Sequence, residues 1–301
     1  MRIVAAGSSG FLGSLLVDQL RADGHQVVRL VRRAAAGPDE VSWQPETGSL
    51  DPAVLAGAAA VVNLAGAGVG DRRWTASYRR LLRTSRVEPT ATLAETIAAA
   101  PAATRPAVLL NASAVGWYGD TGDTEVDEQT PPGEGFFPDL CRVWEAATGP
   151  AEAAGVRVVR LRTGLPLHGS GGLLKPMLLQ FRVGLGGKFG SGRHWLPWVS
   201  MLDWLASVQL LLTRDDLAGP VNLVGPDPVT NADFTRALGS VLHRPTVMPI
   251  PALALRIALG EFGNEAVASQ RVVPGVLNRA GFQFRHGDVR SALRAALAPL
   301  R

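Results

Sequence analysis

The chain has 301 residues, 47% of them hydrophobic and 19% charged, so it can bury a sizeable core and is not expected to be disordered. Its net charge is +4 and its scattered arginines accompany no reading motif, which argues against a nucleic-acid partner. No apolar run approaches the roughly 18 residues of a membrane span. We expect neither a signal peptide nor, with Cys141 as the single cysteine, an intramolecular disulfide, and we predict a cytoplasmic protein.

Short apolar strands alternate with helices along the first half of the chain. The predicted strands are residues 2–6, 26–31, 60–64, 107–112 and 156–161. Leucines at helical spacing predict a helix over 11–20, and an alanine-rich stretch predicts another over 84–100. This alternation predicts an α/β fold with a Rossmann-type doubly wound parallel sheet.

The character of the sequence changes after about residue 162, where glycines become frequent and periodic runs become few. We predict a Rossmann domain over 1–165 with a returning segment near 200–226, and a smaller lobe formed by 166–199 and 227–301. The elements predicted in this second half are a strand at 220–225, a helix over 231–242, an extended connector over 245–251 and a closing helix over 291–300.

A glycine-rich turn joins the first strand to the first helix, with the spacing G-x-x-G-x-x-G. Such a turn lets the backbone approach a dinucleotide's diphosphate, and the free N–H groups of the helix N-terminus then bind the phosphate oxygens. The position of the turn between a strand and an amphipathic helix supports this interpretation. The residues expected to contact the cofactor here are Gly7, Ser9, Gly10, Phe11, Leu12 and Gly13.

The end of the second strand indicates which dinucleotide is preferred. NAD-binding proteins usually carry an acid about 20 residues past the glycine turn, to hold the ribose 2′-hydroxyl. This chain has Arg32 and Arg33 there, and the nearest acid beyond them is Asp39. Because guanidinium groups bind phosphate oxygens in a forked geometry, we predict NADP(H) as the cofactor. The sequence leaves open which of the two arginines contacts the 2′-phosphate.

A second small-residue turn follows the third predicted strand. Ligands of open α/β sheets bind outside the carboxyl ends of the strands, where such a turn would lie against the cofactor. The residues of this turn, all predicted to bind cofactor, are Asn63, Leu64, Ala65 and Gly66.

These two turns resemble the cofactor signatures of extended short-chain dehydrogenases/reductases. The chain is most similar to the atypical epimerase-family branch, through residues 70–74, 84–87, 113–120, 141–145, 190–198 and 278–284. The resemblance runs nearly end to end. It implies a Rossmann domain, NADP(H) and a small C-terminal substrate lobe, and it names no substrate.

The superfamily's catalytic Tyr-x-x-x-Lys pair is absent. Neither Tyr78 nor Tyr118 has a lysine four residues on, and the resemblance places Phe137 and Cys141 where the pair would stand. The superfamily's tyrosine exchanges a proton with the substrate oxygen, and the lysine charge lowers the pKa of that tyrosine. We predict that Ser113, just past a strand end, and Tyr118, on the same loop, take the catalytic roles.

The second half of the chain supplies the predicted substrate site. Residues 190–198 combine a cation with aromatic faces, which suit a planar or anionic small molecule, and we predict Arg193, Trp195 and Trp198 as substrate-binding residues. The histidines follow no metal-ligand spacing, so we predict no metal site. We expect a small-molecule substrate and neither a nucleic-acid nor a membrane partner, and leave a homo-oligomer open.

Three functions remain open at this stage. The first is an NADP(H)-dependent oxidoreductase that transfers hydride to or from a small carbonyl or alcohol. The second is a non-catalytic NADP(H)-binding sensor or partner-binding protein, which the missing catalytic pair favours. The third is a sugar-nucleotide epimerase, which the missing pair disfavours because such enzymes reversibly oxidise a sugar hydroxyl. We rank them in that order.

Overall fold

Parallel strands form the centre of the molecule. The structure, a computed structural model, describes residues 1–251, 253–254, 260, 262–265 and 267–298. Its strands are β1 (Arg2–Ala6), β2 (Gln26–Val31), β3 (Glu40–Ser42), β4 (Ala60–Asn63), β5 (Val108–Ala114), β6 (Glu125–Val126), β7 (Arg157–Thr163), β8 (Leu165–Leu167), β9 (Trp195–Leu196), β10 (Trp198–Ser200), β11 (Gly219–Leu223), β12 (Val229–Thr230) and β13 (Arg271–Val272). Within the described residues, seven of them form one sheet in the order β11-β7-β5-β4-β1-β2-β3, and every neighbouring pair in it is parallel.

Helices connect these strands and cover the sheet. They are α1 (Phe11–Ala22), α2 (Ala76–Ala99), α3 (Phe136–Ala146), α4 (Gly149–Ala153), α5 (Leu174–Arg182), α6 (Met201–Thr213), α7 (Asn231–Leu242), α8 (Phe262–Glu265), α9 (Gly275–Arg279) and α10 (Val289–Leu297). A 3₁₀ turn at Val115–Tyr118 follows β5 directly. None of the helices in the described ranges is long and apolar enough to cross a membrane.

The two faces of the sheet bury different helices. Side chains alternate along β1, so that Ile3 joins one apolar cluster with Leu16 of α1 and Trp204 of α6. Val4 points the opposite way and joins a second cluster with Ile97 of α2. Helices therefore cover both faces, and the predicted Rossmann-type doubly wound α/β fold is confirmed.

Residues after β7 build a smaller apolar core of their own. Phe181 of α5, Phe234 of α7 and Leu293 of α10 are fully buried in it. Segment 200–226 instead returns to the main sheet, to which it contributes α6 and β11. The division of the chain into domains stays a prediction.

One buried carboxylate joins the main sheet to the C-terminal segment. Glu128 accepts hydrogen bonds from the backbone N–H of Asn222 in β11, at 3.0 Å, and from that of Val276 in α9, at 3.1 Å. The side-chain amide of Asn222 in turn donates to the carbonyl of Val273 at 3.0 Å. The last strand of the sheet is therefore fixed to residues 273–276.

Several elements differ from the sequence prediction. Helix α2 begins well before residue 84, because the Thr75 hydroxyl accepts from the N–H of Tyr78 and caps the helix there. Helix α6 was not predicted, because it is apolar on most sides and shows no clear amphipathic period. Strand β3 and helix α5 also went unpredicted, and the predicted closing helix ends at Leu297, with residues 299–300 outside the described part.

Candidate cofactor and active site

The glycine turn between β1 and α1 is shaped for close backbone contact. Gly7 has a φ of +74°, and a Cβ atom there would overlap the backbone of Leu64. A Cβ at Gly13 would overlap the carbonyl of Gly7. Gly10, the residue before α1, offers no side-chain cap to the first helical turn. The free N–H groups there can bind a diphosphate.

The second predicted turn lies against the first. Asn63 is fully buried at the end of β4, and its side-chain oxygen accepts from the N–H of Ala65 at 3.1 Å. Its amide nitrogen donates to Thr90 at 3.0 Å and to Asn111 at 2.7 Å. Asn63 thereby fixes the path of the backbone that touches Gly7. The structure brings both predicted cofactor turns together, and their contact with a cofactor stays a prediction.

The two arginines at the end of β2 have different surroundings. The Arg33 guanidinium forms two 2.7 Å hydrogen bonds with the buried Glu40 carboxylate, which also pairs with Arg29. The hydrogen bond from Arg33, together with one from the backbone of Ala36, lowers the pKa of Glu40 to about 2. Arg32 is exposed and has no hydrogen bond or ion pair among the described residues. Arg32 is therefore the arginine available to a ligand.

Ser113, near the end of β5, is buried and already bonded. Its hydroxyl donates to Glu145 Oε1 at 2.6 Å. The same carboxylate receives two hydrogen bonds from Arg162, at 2.9 and 3.0 Å, and both side chains are more than nine-tenths buried. This bidentate pair favours the ionised carboxylate, which can only accept. The hydroxyl hydrogen of Ser113 is thus directed into the protein, and only its oxygen can serve a substrate.

Tyr118 is also satisfied within the protein. Its hydroxyl donates to the side-chain oxygen of Asn222 at 2.7 Å and accepts from Arg162 at 3.1 Å. The side chain is 3% exposed, and burial raises the pKa of Tyr118 to about 12. This geometry argues against Tyr118 as a proton donor. The catalytic roles of Ser113 and Tyr118 remain predictions.

The two positions that replace the catalytic pair lie on α3. Phe137 is half-buried and packs on the 3₁₀ turn, where a Cβ at Gly116 would come 3.0 Å from the Phe137 Cβ. Cys141 is buried and directs its thiol to the carbonyl of Ala114 at 3.7 Å. Burial raises the pKa of the Cys141 thiol to about 12, so it is no nucleophile at neutral pH.

Arg86 is a site residue that sequence reasoning did not single out. This residue of α2 donates to the carbonyls of Leu82 at 3.0 Å and Ala67 at 2.9 Å, and it lies 5.2 Å from the Trp144 ring. Burial lowers its pKa, and no carboxylate among the described residues pairs with it. Arg86 therefore holds the turn after Gly66 and leaves positive charge beside it. A partly buried arginine without an acid partner could not be recognised from sequence spacing.

The predicted substrate residues divide into three environments. Arg193 is exposed, whereas Trp195 is half-buried, donates to Asp123 at 2.9 Å and lies 4.8 Å from the Arg271 guanidinium. Trp198 is 1% exposed, and its ring N–H donates to the Asp227 carbonyl at 2.8 Å. This burial argues against Trp198 as a substrate-binding residue, because its side chain is part of the core. The substrate-binding roles of Arg193, Trp195 and Trp198 stay predictions. Within the described residues, no three His, Cys, Asp or Glu side chains are placed to hold a metal ion.

Comparison with known proteins is consistent with this fold. The model of the NAD dependent epimerase/dehydratase family matches residues 3–138, and that of a domain of unknown function, DUF1731, matches residues 250–296. An epimerase family protein of Mycobacterium tuberculosis is 47% identical over 97% of this chain and 96% of its own length. The human epimerase family protein SDR39U1 is 33% identical over 99% of this chain and all of its own length.

Two solved structures extend the comparison. Human SDR39U1 (isoform 2), crystallised with NADPH, superposes with a TM-score of 0.91 at 31% identity over the whole of both chains. A nucleoside-diphosphate sugar epimerase from Corynebacterium glutamicum superposes with a TM-score of 0.81 at 34% identity, over 99% of this chain and 58% of its own. The chain belongs to the epimerase family of proteins, together with SDR39U1.

Proposed function

We propose that this chain is an NADP(H)-dependent oxidoreductase of the atypical extended short-chain dehydrogenase/reductase type. The proposal depends mainly on the glycine turn, where Gly7 and Gly13 leave no space for a side chain and so let the backbone approach a ligand closely. The unpaired Arg32 lies at the end of the neighbouring strand. The NADPH in the crystal structure of human SDR39U1 supports the NADP(H) prediction. When bound, the nicotinamide supplies hydride chemistry that no side chain can perform.

The chain's own residues would bind and orient that cofactor. The N-terminus of α1 would bind the diphosphate, and Arg32 would hold the 2′-phosphate. Arg33 has a structural role instead, because it is bonded to Glu40. Asn63 and Arg86 would maintain the shape of the turn after β4, against which the cofactor would lie.

A non-catalytic NADP(H)-binding role is the second candidate. It is favoured by the hydroxyls of Ser113 and Tyr118, both of which donate to protein acceptors. A cofactor-dependent change in oligomeric state, without turnover of any substrate, would indicate this role. A sugar-nucleotide epimerase ranks third, because reversible oxidation of a sugar hydroxyl needs a residue that takes up its proton.

Calorimetric titration of the stripped protein with NADPH and NADH tests the cofactor assignment. We expect NADPH to bind at least about tenfold more tightly, a difference of about 1.4 kcal/mol. The variant Arg32→Ala should remove most of this preference while NADH affinity stays the same. Arg142→Ala is the matched control, since Arg142 is an exposed arginine on α3 paired with Asp139. Absence of binding by either nucleotide would refute the proposed function.

The remaining predictions about cellular context are part of the same proposal. We propose a cytoplasmic enzyme that acts on a small molecule. A relative from Arabidopsis thaliana is named chloroplastic, so the location of this chain needs its own measurement by fractionation. Size-exclusion chromatography with light scattering would decide the oligomeric state.

A further inference from the structure

The supply of a proton limits the substrates that this site can reduce. Hydride addition to an isolated ketone or aldehyde produces a strongly basic alkoxide, so such enzymes place an acid at the substrate oxygen. The following inference rests on the proposed function and concerns the class of its substrate.

The hydroxyls near the end of β5 cannot deliver that proton. Ser113 directs its hydrogen to Glu145, at 2.6 Å, and Tyr118 directs its hydrogen to Asn222, at 2.7 Å. Tyr118 also accepts from Arg162, which occupies the other side of its oxygen. Both residues are at least 96% buried. Either hydroxyl would have to abandon a buried acceptor to protonate a ligand, and that acceptor would then be unsatisfied.

The neighbouring side chains on α3 supply no acid either. Phe137 carries no ionisable group, and the Cys141 thiol is buried against the carbonyl of Ala114. Glu145, one turn further along the helix, is bonded to Arg162 through both of its oxygens. The described side chains around Ser113 therefore offer acceptors and apolar surface in place of an acid.

Aromatic rings pack together next to Phe137. Trp74 packs edge-on against Phe136 and Phe137, with ring centroids 5.0 and 5.2 Å away, and stacks on Phe262 at 5.3 Å. These four residues form the aromatic cluster. Phe136 and Phe137 are only half-buried, so part of the cluster is accessible.

The aromatic cluster lies between the two loops that border the predicted ligand crevice. On one side, Ala67 and Val69 of the loop after β4 pack against the buried group that contains Trp74, whose ring N–H donates to the Val69 carbonyl at 2.9 Å. On the other side, Phe137 meets the 3₁₀ turn after β5 at Gly116. Ligands of doubly wound sheets bind at these strand ends. A flat, uncharged ring matches such a surface better than a hydroxyl-rich sugar does.

We propose that the hydride acceptor of this chain is a quinone. A quinone accepts the hydride with its electron pair while the reduced nicotinamide is oxidised, and conjugation leaves the negative charge on an oxygen as a hydroquinone anion. That anion is a phenolate, and phenols titrate near about pH 10, so it can take its proton from water after the transfer. The chain's part is to stack and orient the ring, and no acidic side chain is required.

Turnover with NADPH provides the first test. Menadione and benzaldehyde are compared as acceptors by the loss of nicotinamide absorbance between about pH 6 and pH 9. We expect kcat/KM for menadione to exceed that for benzaldehyde at least about tenfold, and to change little across this range, because no enzymic acid titrates in the step. Faster reduction of benzaldehyde than of menadione would overturn the inference.

A binding measurement without cofactor provides the second test. Menadione should quench the tryptophan fluorescence of the apo protein saturably, and Phe137→Leu should weaken this binding several-fold while NADPH affinity stays unchanged. NADPH binding that is retained in Phe137→Leu shows that this variant is folded, so that a loss of menadione binding can be assigned to the ring. If menadione neither binds nor is reduced by protein that binds NADPH, the quinone assignment fails and the cofactor assignment stands. If NADPH itself does not bind, the proposed function fails instead.

Two further variants examine the proton argument. Phe137→Tyr places a phenol where the resemblance puts the superfamily's tyrosine, and it should raise benzaldehyde reduction at least about tenfold. Glu265 is the best alternative acid, because burial and the nearby Asp120 raise its pKa and it lies three residues from Phe262. Menadione reduction should be the same in Glu265→Gln. A large loss of turnover in that variant, with a changed pH profile, would make Glu265 the acid and overturn the inference.

Discussion

The buried pair between Arg162 and Glu145 should dominate the energetics of the candidate site. Arg162 contributes two hydrogen bonds to Glu145, a third to the Tyr118 hydroxyl, and a cation–π contact 3.9 Å from the Trp117 ring centroid. Its side chain is 3% exposed and that of Glu145 is 7% exposed. Water can therefore replace few of the hydrogen bonds that a substitution at either residue removes.

The variant Arg162→Met isolates this contribution. Methionine fills most of the volume but leaves the Glu145 carboxylate with the Ser113 hydroxyl as its one hydrogen-bond donor in the described part of the chain. Removing one partner of a buried ion pair costs about 3–5 kcal/mol, since an uncompensated charge stays buried. We expect a decrease of that size in the free energy of unfolding.

Arg160→Met is the matched control. Arg160 lies two residues away on β7, and its 2.6 Å ion pair with Glu152 is partly exposed. Because solvent reaches this pair, its loss should cost much less than the loss of the Arg162 pair, and this variant should be clearly more stable than Arg162→Met.

Urea unfolding followed by circular dichroism gives the stabilities of both variants. The double variant Arg162→Met/Glu145→Leu should recover part of the loss, because it removes the stranded charge as well. A decrease for Arg162→Met within about 1 kcal/mol of the Arg160→Met control would refute the argument that this pair is desolvated.

Two other predictions concern the cofactor end of the sheet. Gly13→Ala should weaken NADPH binding at least about tenfold in calorimetry, because the added methyl overlaps the Gly7 carbonyl. Gly149→Ala is the control, since a methyl group there meets no neighbouring atom. Equal NADPH affinities of the two variants would contradict the role given to the glycine turn. The pKa of Glu40 is about 2 in the folded chain against an ordinary 4.5, so its stabilising effect is complete above about pH 4.5 and is lost as the pH falls towards 2. The stability advantage of the parent chain over Glu40→Gln in urea unfolding should therefore shrink across this window, and an advantage independent of pH would show that the carboxylate is not held by Arg33.

The parts of the structure that the sequence predicted well are those determined by local sequence patterns. The glycine turn, the first two strands and helix α7 depend on residues close in sequence, and the boundaries of β1, β2 and α7 match the prediction. The parallel sheet followed from the order of these elements.

Long-range contacts account for what sequence could not show. The partner of Tyr118 is Asn222, 104 positions away, and no spacing rule links a phenol to so distant an amide. Arg33 is hydrogen-bonded to Glu40, the first residue of the short strand β3. Because β3 was not predicted, this pair could not be predicted either. In the sequence, Trp198 has the aromatic character of a binding residue. Its burial and the packing of Gly225 against its ring place it in the core.

The position of Glu128 bears on the order in which the chain can fold during synthesis. Its carboxylate is buried between two segments that follow it in the chain by 94 and 148 residues. When the first five strands leave the ribosome, both segments are still unmade or inside the exit tunnel, and Glu128 has neither partner. Because an unsatisfied buried carboxylate is costly, the nascent sheet must keep this side chain in water until residue 276 emerges. We expect protease-resistant structure around β11 to form only after residue 276 has left the ribosome.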